Sequence, residues 1–202
     1  GEGGALTAND PGLAKRLVLA RNHGMTRDPA TFTNVDDAFE NGEPNPWYYE
    51  LTEPEFNWRA NDIQCALGLS QLSKLERFVA RRRAIAAHYD LALAPLAPLL
   101  RPLGRTRRSL PAWHLYVARI DFQKAGISRA RLMRALSAEG IGTQVHYFPV
   151  HRQPYYAKRY GKTNLPGADR YYECALSLPL YASMQESDAD FVAEALARIL
   201  IG

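Results

Sequence analysis

The sequence is poor in cysteine: two in 202 residues, Cys65 and Cys174. They lie far apart on predicted helices, which argues against a disulfide framework and for a reducing, cytoplasmic compartment. They also lack the spacing of a zinc site, so no metal is expected. No apolar run is long enough to cross a bilayer. The first residues have neither the basic start nor the apolar core of a secretory signal. The opening Gly1-Glu2-Gly3-Gly4 lacks the spacing of a dinucleotide or nucleotide-triphosphate loop, which favours a tight turn. The charge imbalance is small, +4 with an isoelectric point near 9.1. That suits an anionic ligand but is too mild to argue for nucleic acid, and no reader motif accompanies it. What remains is globular: 47% hydrophobic and 23% charged, without the bias of disorder, and long enough for one or two domains.

The most informative stretch is Phe56-Asn57-Trp58-Arg59-Ala60-Asn61-Asp62, which reads as a loop turning into a helix. Asn61 is the N-cap candidate, and Asp62 places negative charge at the positive end of the helix dipole. Ile63, Ala66, Leu67, Ser70, Leu75, Phe78 and Val79 recur at the helical period as one buried stripe. The pattern continues through Ile85 and Tyr89 until Pro95 stops it. The spacing predicts one long helix over 61–93, a strut joining two parts of a fold.

Upstream, Ala5-Leu6-Thr7 reads as a short strand. Asn9-Asp10-Pro11-Gly12 is a turn into an amphipathic helix carrying Leu13, Leu17, Val18 and Ala20, which ends near His23-Gly24. A glycine-rich turn is a poor start for a domain, so it is expected to continue something upstream. Residues 25–58 form a long, proline-punctuated, irregular segment with Trp47, Tyr48, Tyr49, Phe56 and Trp58, expected at an active-site rim or a dimer interface. Within it the neutral amide of Asn57 can donate to a phosphate oxygen or cap local backbone. Arg59 can face the same phosphate or pair with a surface acid.

Downstream, Arg81-Arg82-Arg83 is expected on a solvated helix face. Arg105-Thr106-Arg107-Arg108 sits in a Pro/Gly-rich connector that could touch a diphosphate. Residues 113–202 read as a compact α+β domain. It has a strand over 113–120, a helix capped by Ser128 and ending at Gly140, and a second strand over 141–148. A helix over 168–177 and a last helix with a capping spacing from Ser187 to Asp190 complete it. His146-Tyr147-Phe148-Pro149-Val150-His151 closes the second strand as a polar lip, able to meet a sugar hydroxyl or a diphosphate. His88 and His114 read as structural, and His23 stays open.

Four ordered motifs carry a family resemblance: Gly1-Glu2-Gly3-Gly4-Ala5 with Arg21-Asn22-His23-Gly24, the stretch from Phe56 to Leu72, Gly140-Ile141-Gly142-Thr143-Gln144-Val145-His146-Tyr147, and Leu176-Ser177-Leu178-Pro179-Leu180. Together they resemble the DegT/StrS family of sugar aminotransferases, which use pyridoxal phosphate (PLP), and within it the pseudaminic-acid pathway members that act on UDP-linked keto sugars. The resemblance implies an α/β chain forming the C-terminal part of a fold-type I PLP-dependent transferase. Residues 1–58 would be the end of the large PLP-binding domain with an active-site and dimer loop, 59–94 the linking helix, and 95–202 the small α+β domain. It implies a homodimer with a shared active site, where Asn57, with Arg59 beside it, reaches the PLP phosphate of the other subunit. His146, Tyr147 and His151 would contact the sugar nucleotide, and glutamate would supply the amino group for a cell-surface or flagellar nonulosonic-acid glycan. The family's PLP-bearing lysine precedes Glu-Gly-Gly, and Lys15, Lys74, Lys124, Lys158 and Lys162 do not match it. The chain by itself is therefore expected to be inactive, with no catalytic residue assigned. The alternative reading is a non-catalytic dimerisation module derived from the same fold. A nucleic-acid binder is a third reading; it predicts steeply salt-dependent affinity for DNA or RNA, and none is expected.

Overall fold

The computed structural model describes residues 3–106 and 108–202. Gly1 and Glu2 of the opening turn and Arg107 of the second basic cluster lie outside the described residues. The chain divides into two compact units, Gly1–Ser73 and Lys74–Gly202.

The first unit begins irregularly; the strand expected over 5–7 does not form. Helix α1 (Pro11–Arg21) starts with proline in its first turn, and the Asp10 carboxylate accepts from the Leu13 amide at 2.6 Å. It ends at Arg21, and His23 and Gly24 just beyond it are both at positive φ. At Gly24 a Cβ would lie 1.9 Å from the Glu53 carbonyl oxygen, so this turn needs glycine for space as well as for φ.

The segment 25–58 is more ordered than its composition suggests. Strand β1 (Met25–Thr26) pairs antiparallel with β4 (Glu50–Leu51), and β2 (Phe39–Glu40) pairs with β3 (Glu43–Pro44) after the short helix α2 (Val35–Ala38). Phe32 packs edge-on against Phe39 and Tyr48. Glu50 is buried and its carboxylate gathers the chain. It accepts from the Thr33 amide at 2.7 and 2.9 Å, the Thr33 hydroxyl at 2.9 Å, the Asn34 amide at 2.8 Å and the Tyr48 hydroxyl at 3.1 Å.

Helix α3 (Asp62–Leu72) opens on a reciprocal box. Asn61 Oδ1 accepts from the Gln64 amide at 2.9 Å, and Gln64 Oε1 accepts from the Asn61 amide at 3.0 Å. The single helix expected over 61–93 is two helices, because α4 (Leu75–Ala92) starts afresh after Ser73 and Lys74. The Ser73 hydroxyl donates back to the Ser70 carbonyl at 2.9 Å, a local bond that competes with the helix ladder. Lys74 is the N-cap of α4, at φ −103°, ψ −3°. The stripe expected to be buried is exposed throughout α3.

The second unit holds a three-stranded antiparallel sheet in the order β5 (Leu100–Pro102), β6 (Tyr116–Ile120), β7 (Ala175–Leu178). Tyr116, Ala118 and Ile120 share one face of β6, as period two requires. They join Ile85, Tyr89 and Leu93 of α4 and its C-terminal end, Leu132 and Leu136 of α5 (Arg129–Ala138), and Val192, Leu196 and Leu200 of α8 (Glu186–Ile201) in one core. Ser128 caps α5 at the Arg131 amide, 3.2 Å, and Gly140 closes it at φ +80°. Helices α6 (Pro154–Tyr160) and α7 (Pro166–Cys174) complete the unit. No helix among the described residues is long and apolar enough to cross a membrane.

Several expectations are corrected here. The helix expected over 168–177 ends at Cys174, and 175–178 is a strand with all four residues buried. A continuous apolar run carries no period to separate strand from helix. The strand expected over 141–148 is one bridge, Gln144 with Ser177. Beyond it the backbone groups turn to side chains: the Val145 amide to Gln144 Oε1 at 2.8 Å, and the His146 carbonyl to the Tyr171 hydroxyl at 3.2 Å. The cap of α8 forms two residues earlier than expected, where the Gln185 amide donates to Asp188 Oδ2 at 2.8 Å. Arg81, Arg82 and Arg83 do not line a solvated face. They donate to the carbonyls of Met184, of Trp113, His114 and Leu180, and of Leu110 and Pro111, stapling two loops to α4. Arg105 of the second cluster pairs with Asp90 at 2.5 Å and lies over the Trp113 ring at 4.3 Å. His88 meets Asp190 at 2.6 Å.

Candidate functional site

In the first unit the segment carrying Asn57 and Arg59 is held against the end of α1 by backbone. The His23 amide donates to the Phe56 carbonyl at 3.0 Å, and the Trp58 amide to the Arg21 carbonyl at 2.9 Å, so Asn22 and Asn57 face each other across an antiparallel bridge. The Arg59 guanidinium donates to Asn22 Oδ1. Asn57 Oδ1 accepts from the Arg59 amide at 3.2 Å, which leaves the Asn57 amide NH2 without a partner among the described residues. Asn57 and Arg59 are thus brought together, both exposed. A free neutral donor beside a guanidinium with spare N–H groups is a donor set that fits a phosphate.

In the second unit the three other candidates lie along one segment but not in one cavity. His146 Nδ1 is 2.8 Å from the Ser177 hydroxyl on β7, and the His146 ring meets Tyr147 edge-on. Tyr147 is 70% exposed. Burial raises the Tyr171 hydroxyl pKa above its ordinary value, so this group stays protonated while it donates to the His146 carbonyl. His151 sits in the 3-10 turn Val150–Arg152, with Nε2 3.3 Å from Asp169 Oδ1 on α7. Arg152 Nη2 reaches the same oxygen at 2.8 Å, yet that oxygen, fully buried, completes no well-directed hydrogen bond with either.

His151, Arg152 and Asp169 line a cavity of about 420 Å3 with Lys162, Thr163 and Asn164. It gathers cations, a hydroxyl and an amide, a lining suited to a phosphorylated ligand. The Tyr172 ring braces this wall, with Phe148 edge-on at 5.5 Å, the Arg129 guanidinium 4.4 Å above it and Arg152 at 5.9 Å.

Sequence reasoning missed Arg152, Lys162, Asp169, Tyr171 and Ser177. A helix drawn through to 177 hides the boundary that gives Ser177 to a strand. Only the spacing of Asp169 and Tyr172, one helical turn apart, marks the face of α7 that meets the loop. Among the described residues, no group of three His, Cys, Asp or Glu side chains could hold a metal ion.

The fold is that of the fold-type I PLP-dependent transferases. The chain belongs to the DegT/DnrJ/EryC1/StrS aminotransferase family, whose pattern matches residues 1–197. It is 41% identical over 209 residues to the spore coat polysaccharide biosynthesis protein SpsC of Bacillus subtilis, covering 100% of this chain and 50% of SpsC. Among solved structures, Helicobacter pylori PseC, an aminotransferase involved in the biosynthesis of pseudoaminic acid, superposes with a TM-score of 0.81 at 25% identity, covering 96% of this chain and 47% of PseC. Spr1654 of Streptococcus pneumoniae in its PMP form gives a TM-score of 0.79 at 25% identity, covering 96% and 46%. The chain spans about half the length of the relatives it matches.

Proposed function

We propose that this chain is part of a PLP-dependent aminotransferase that converts a nucleotide-linked keto sugar into an amino sugar. UDP is the nucleotide, glutamate the amino donor, and a cell-surface or flagellar nonulosonic-acid glycan such as pseudaminic acid the destination. The carrying observation is the cavity at His151, where Arg152, Lys162, Thr163 and Asn164 offer cationic and neutral donors matched to a diphosphate. Family membership and the pathway named for PseC support the sugar and the glycan. The scarcity of cysteine and membership in a sugar-aminotransferase family support a cytoplasmic location.

In this reading residues 1–58 complete a large PLP-binding domain, 59–94 link it onward and 95–202 form the small domain. Asn57 and Arg59 bind the cofactor phosphate, the one by a neutral donor and the other by charge. PLP, when bound, supplies the electron sink that lets the amino group change carbon. His146 has one ring nitrogen fixed by Ser177, which orients the other toward a sugar hydroxyl. Tyr147 presents an exposed hydroxyl beside it. His151 and Arg152, both drawn to Asp169, hold the diphosphate side. A homodimer with a shared active site is supported by the exposed apolar residues Ile63, Leu67, Leu69 and Leu72 of α3 with Phe56 and Trp58 before it, a surface that calls for a partner.

The test begins with intact mass and an absorbance scan of the purified protein for bound PLP. N57A is expected to weaken PLP binding roughly 10-fold, the worth of one hydrogen bond to a charged group. R152Q is expected to raise KM for the UDP-keto sugar while kcat changes little, the pattern of lost ground-state binding. Unchanged PLP affinity in N57A and unchanged KM in R152Q overturn the site assignments. A protein that dimerises without ever binding PLP is the interaction module instead.

A further inference from the structure

A second cleft, of about 660 Å3, lies in the second unit, where the ends of β5 and β6 meet α7. Arg101 on β5 and Arg119 on β6 are direct cross-strand partners in the antiparallel register. Like charges placed opposite each other in this way destabilise a sheet. No carboxylate among the described residues pairs with them. Arg101, Arg119 and Arg170 of α7 all line the cleft, and none of the three guanidinium groups has a hydrogen-bond or ion-pair partner among the described residues. Lys124 adds a fourth cation, itself 3.2 Å from Asp121. Glu173 is the other acid in the lining. Six other arginines of this unit are engaged, Arg81, Arg82 and Arg83 by carbonyls and Arg105, Arg152 and Arg198 by carboxylates. Three guanidinium groups from three elements, unopposed and converging on one cleft, form a charge arrangement that an anion completes.

We propose that this cleft is a second, separate binding site for a small phosphate ester carrying two or more phosphate groups, gripped by Arg101, Arg119 and Arg170. Cross-strand partners stand about 5 Å apart at Cβ, which lets the two strand arginines grip neighbouring phosphates. Guanidinium forks match phosphate oxygens in pairs. Phe122, half-buried in the wall, offers an apolar surface to the organic part of the ligand. The cleft shares no residue with the cavity at His151, so the proposal stands whether or not that cavity takes a sugar nucleotide.

Isothermal titration of the protein with inorganic pyrophosphate, and with ADP, tests it. The wild type is expected to bind both. R101Q/R119Q is expected to bind at this cleft at least 10-fold more weakly, R170Q several-fold more weakly, and R198Q, whose guanidinium pairs with Glu139 and lines neither cavity, as tightly as the wild type. Without ligand, the melting temperature of R101Q/R119Q is expected to equal or exceed that of the wild type, since a like-charge pair has been removed; a lower value would count against the pair being unrelieved. No pyrophosphate binding overturns the proposal. So does affinity unchanged in both R101Q/R119Q and R170Q, or binding abolished by R152Q, which would place every bound phosphate at His151. Should R101Q/R119Q fail to fold, R170Q alone decides.

Discussion

Glu50 concentrates more of the first unit's order than any other side chain. Its carboxylate holds two amides and two hydroxyls within 3.1 Å. Hydrogen bonding, from the Asn34 amide first and then from Thr33, favours the charged form and holds its pKa below the ordinary value of 4.5. A carboxylate whose folded pKa is depressed contributes stability that is complete above its unfolded pKa and disappears as pH falls through the folded one. The clamp is therefore expected to be intact at neutral pH and to loosen below about pH 4.5. Hydrogen exchange at the Thr33 and Asn34 amides should show protection at pH 7 that E50Q loses, and a wild type equally open at pH 7 would refute the clamp. In the second unit the Tyr89 hydroxyl donates to the Pro179 carbonyl at 3.1 Å from a fully buried ring. Burial pushes its pKa well above the ordinary value, so it donates at every physiological pH. Y89F removes that donor and strands the carbonyl, and is expected to cost about 1 kcal/mol in urea unfolding.

At the scale of elements, the helix caps test how local the code is. Ser128 spans one turn to the Arg131 amide, and S128A is expected to lower stability by about 1 kcal/mol. A chemical-denaturation midpoint unchanged by S128A would show that α5 is held by packing alone. Caps of this kind at Asn61 and Ser128 were legible in the sequence because donor and acceptor lie within three residues. The same held for the turn at Gly24 and for the β6 strand. Features whose partners are distant in sequence were not legible. Arg81, Arg82 and Arg83 read as a solvated face because the carbonyls they bind lie roughly 30 to 100 residues away. The alternation over 141–148 promised a strand, but side chains of Gln144 and Tyr171 took the ladder's hydrogen bonds. The break between α3 and α4, at Ser73 and Lys74, interrupts a stripe that reads as continuous. Among the candidate site residues, Asn57, His146 and His151 stood out by type and motif. Asp169 and Arg152 emerged only once α7 was placed against the 3-10 turn.

At the scale of the molecule the two units differ in how they are held. Every buried hydrophobic residue except Ala38 lies in the second unit, most of them in one continuous cluster from Ile85 to Leu200. In the first unit only Gly24, Thr26, Ala38 and Glu50 are buried among the described residues, and its helices α1 and α3 bury nothing. Removing apolar surface from water is the main force that drives folding, and ordering each residue costs about 1–2 kcal/mol of backbone entropy. A clamp of hydrogen bonds around Glu50 cannot offset that cost over some 70 residues when each bond returns about 1 kcal/mol net. The second unit, with a layered core of α4, α5, α8 and the sheet, can. Residues 74–202 expressed alone are therefore expected to unfold cooperatively in urea, with dispersed amide resonances. Residues 1–73 alone are expected to show no cooperative transition, and to gain one only when a surface is supplied that covers Ile63, Leu67 and Leu72. A cooperative transition in isolated 1–73 would mean that the polar clamp and its small sheets suffice. It would also remove the reason for assigning the exposed apolar residues of α3 to a partner, and with it the support they give to a dimer.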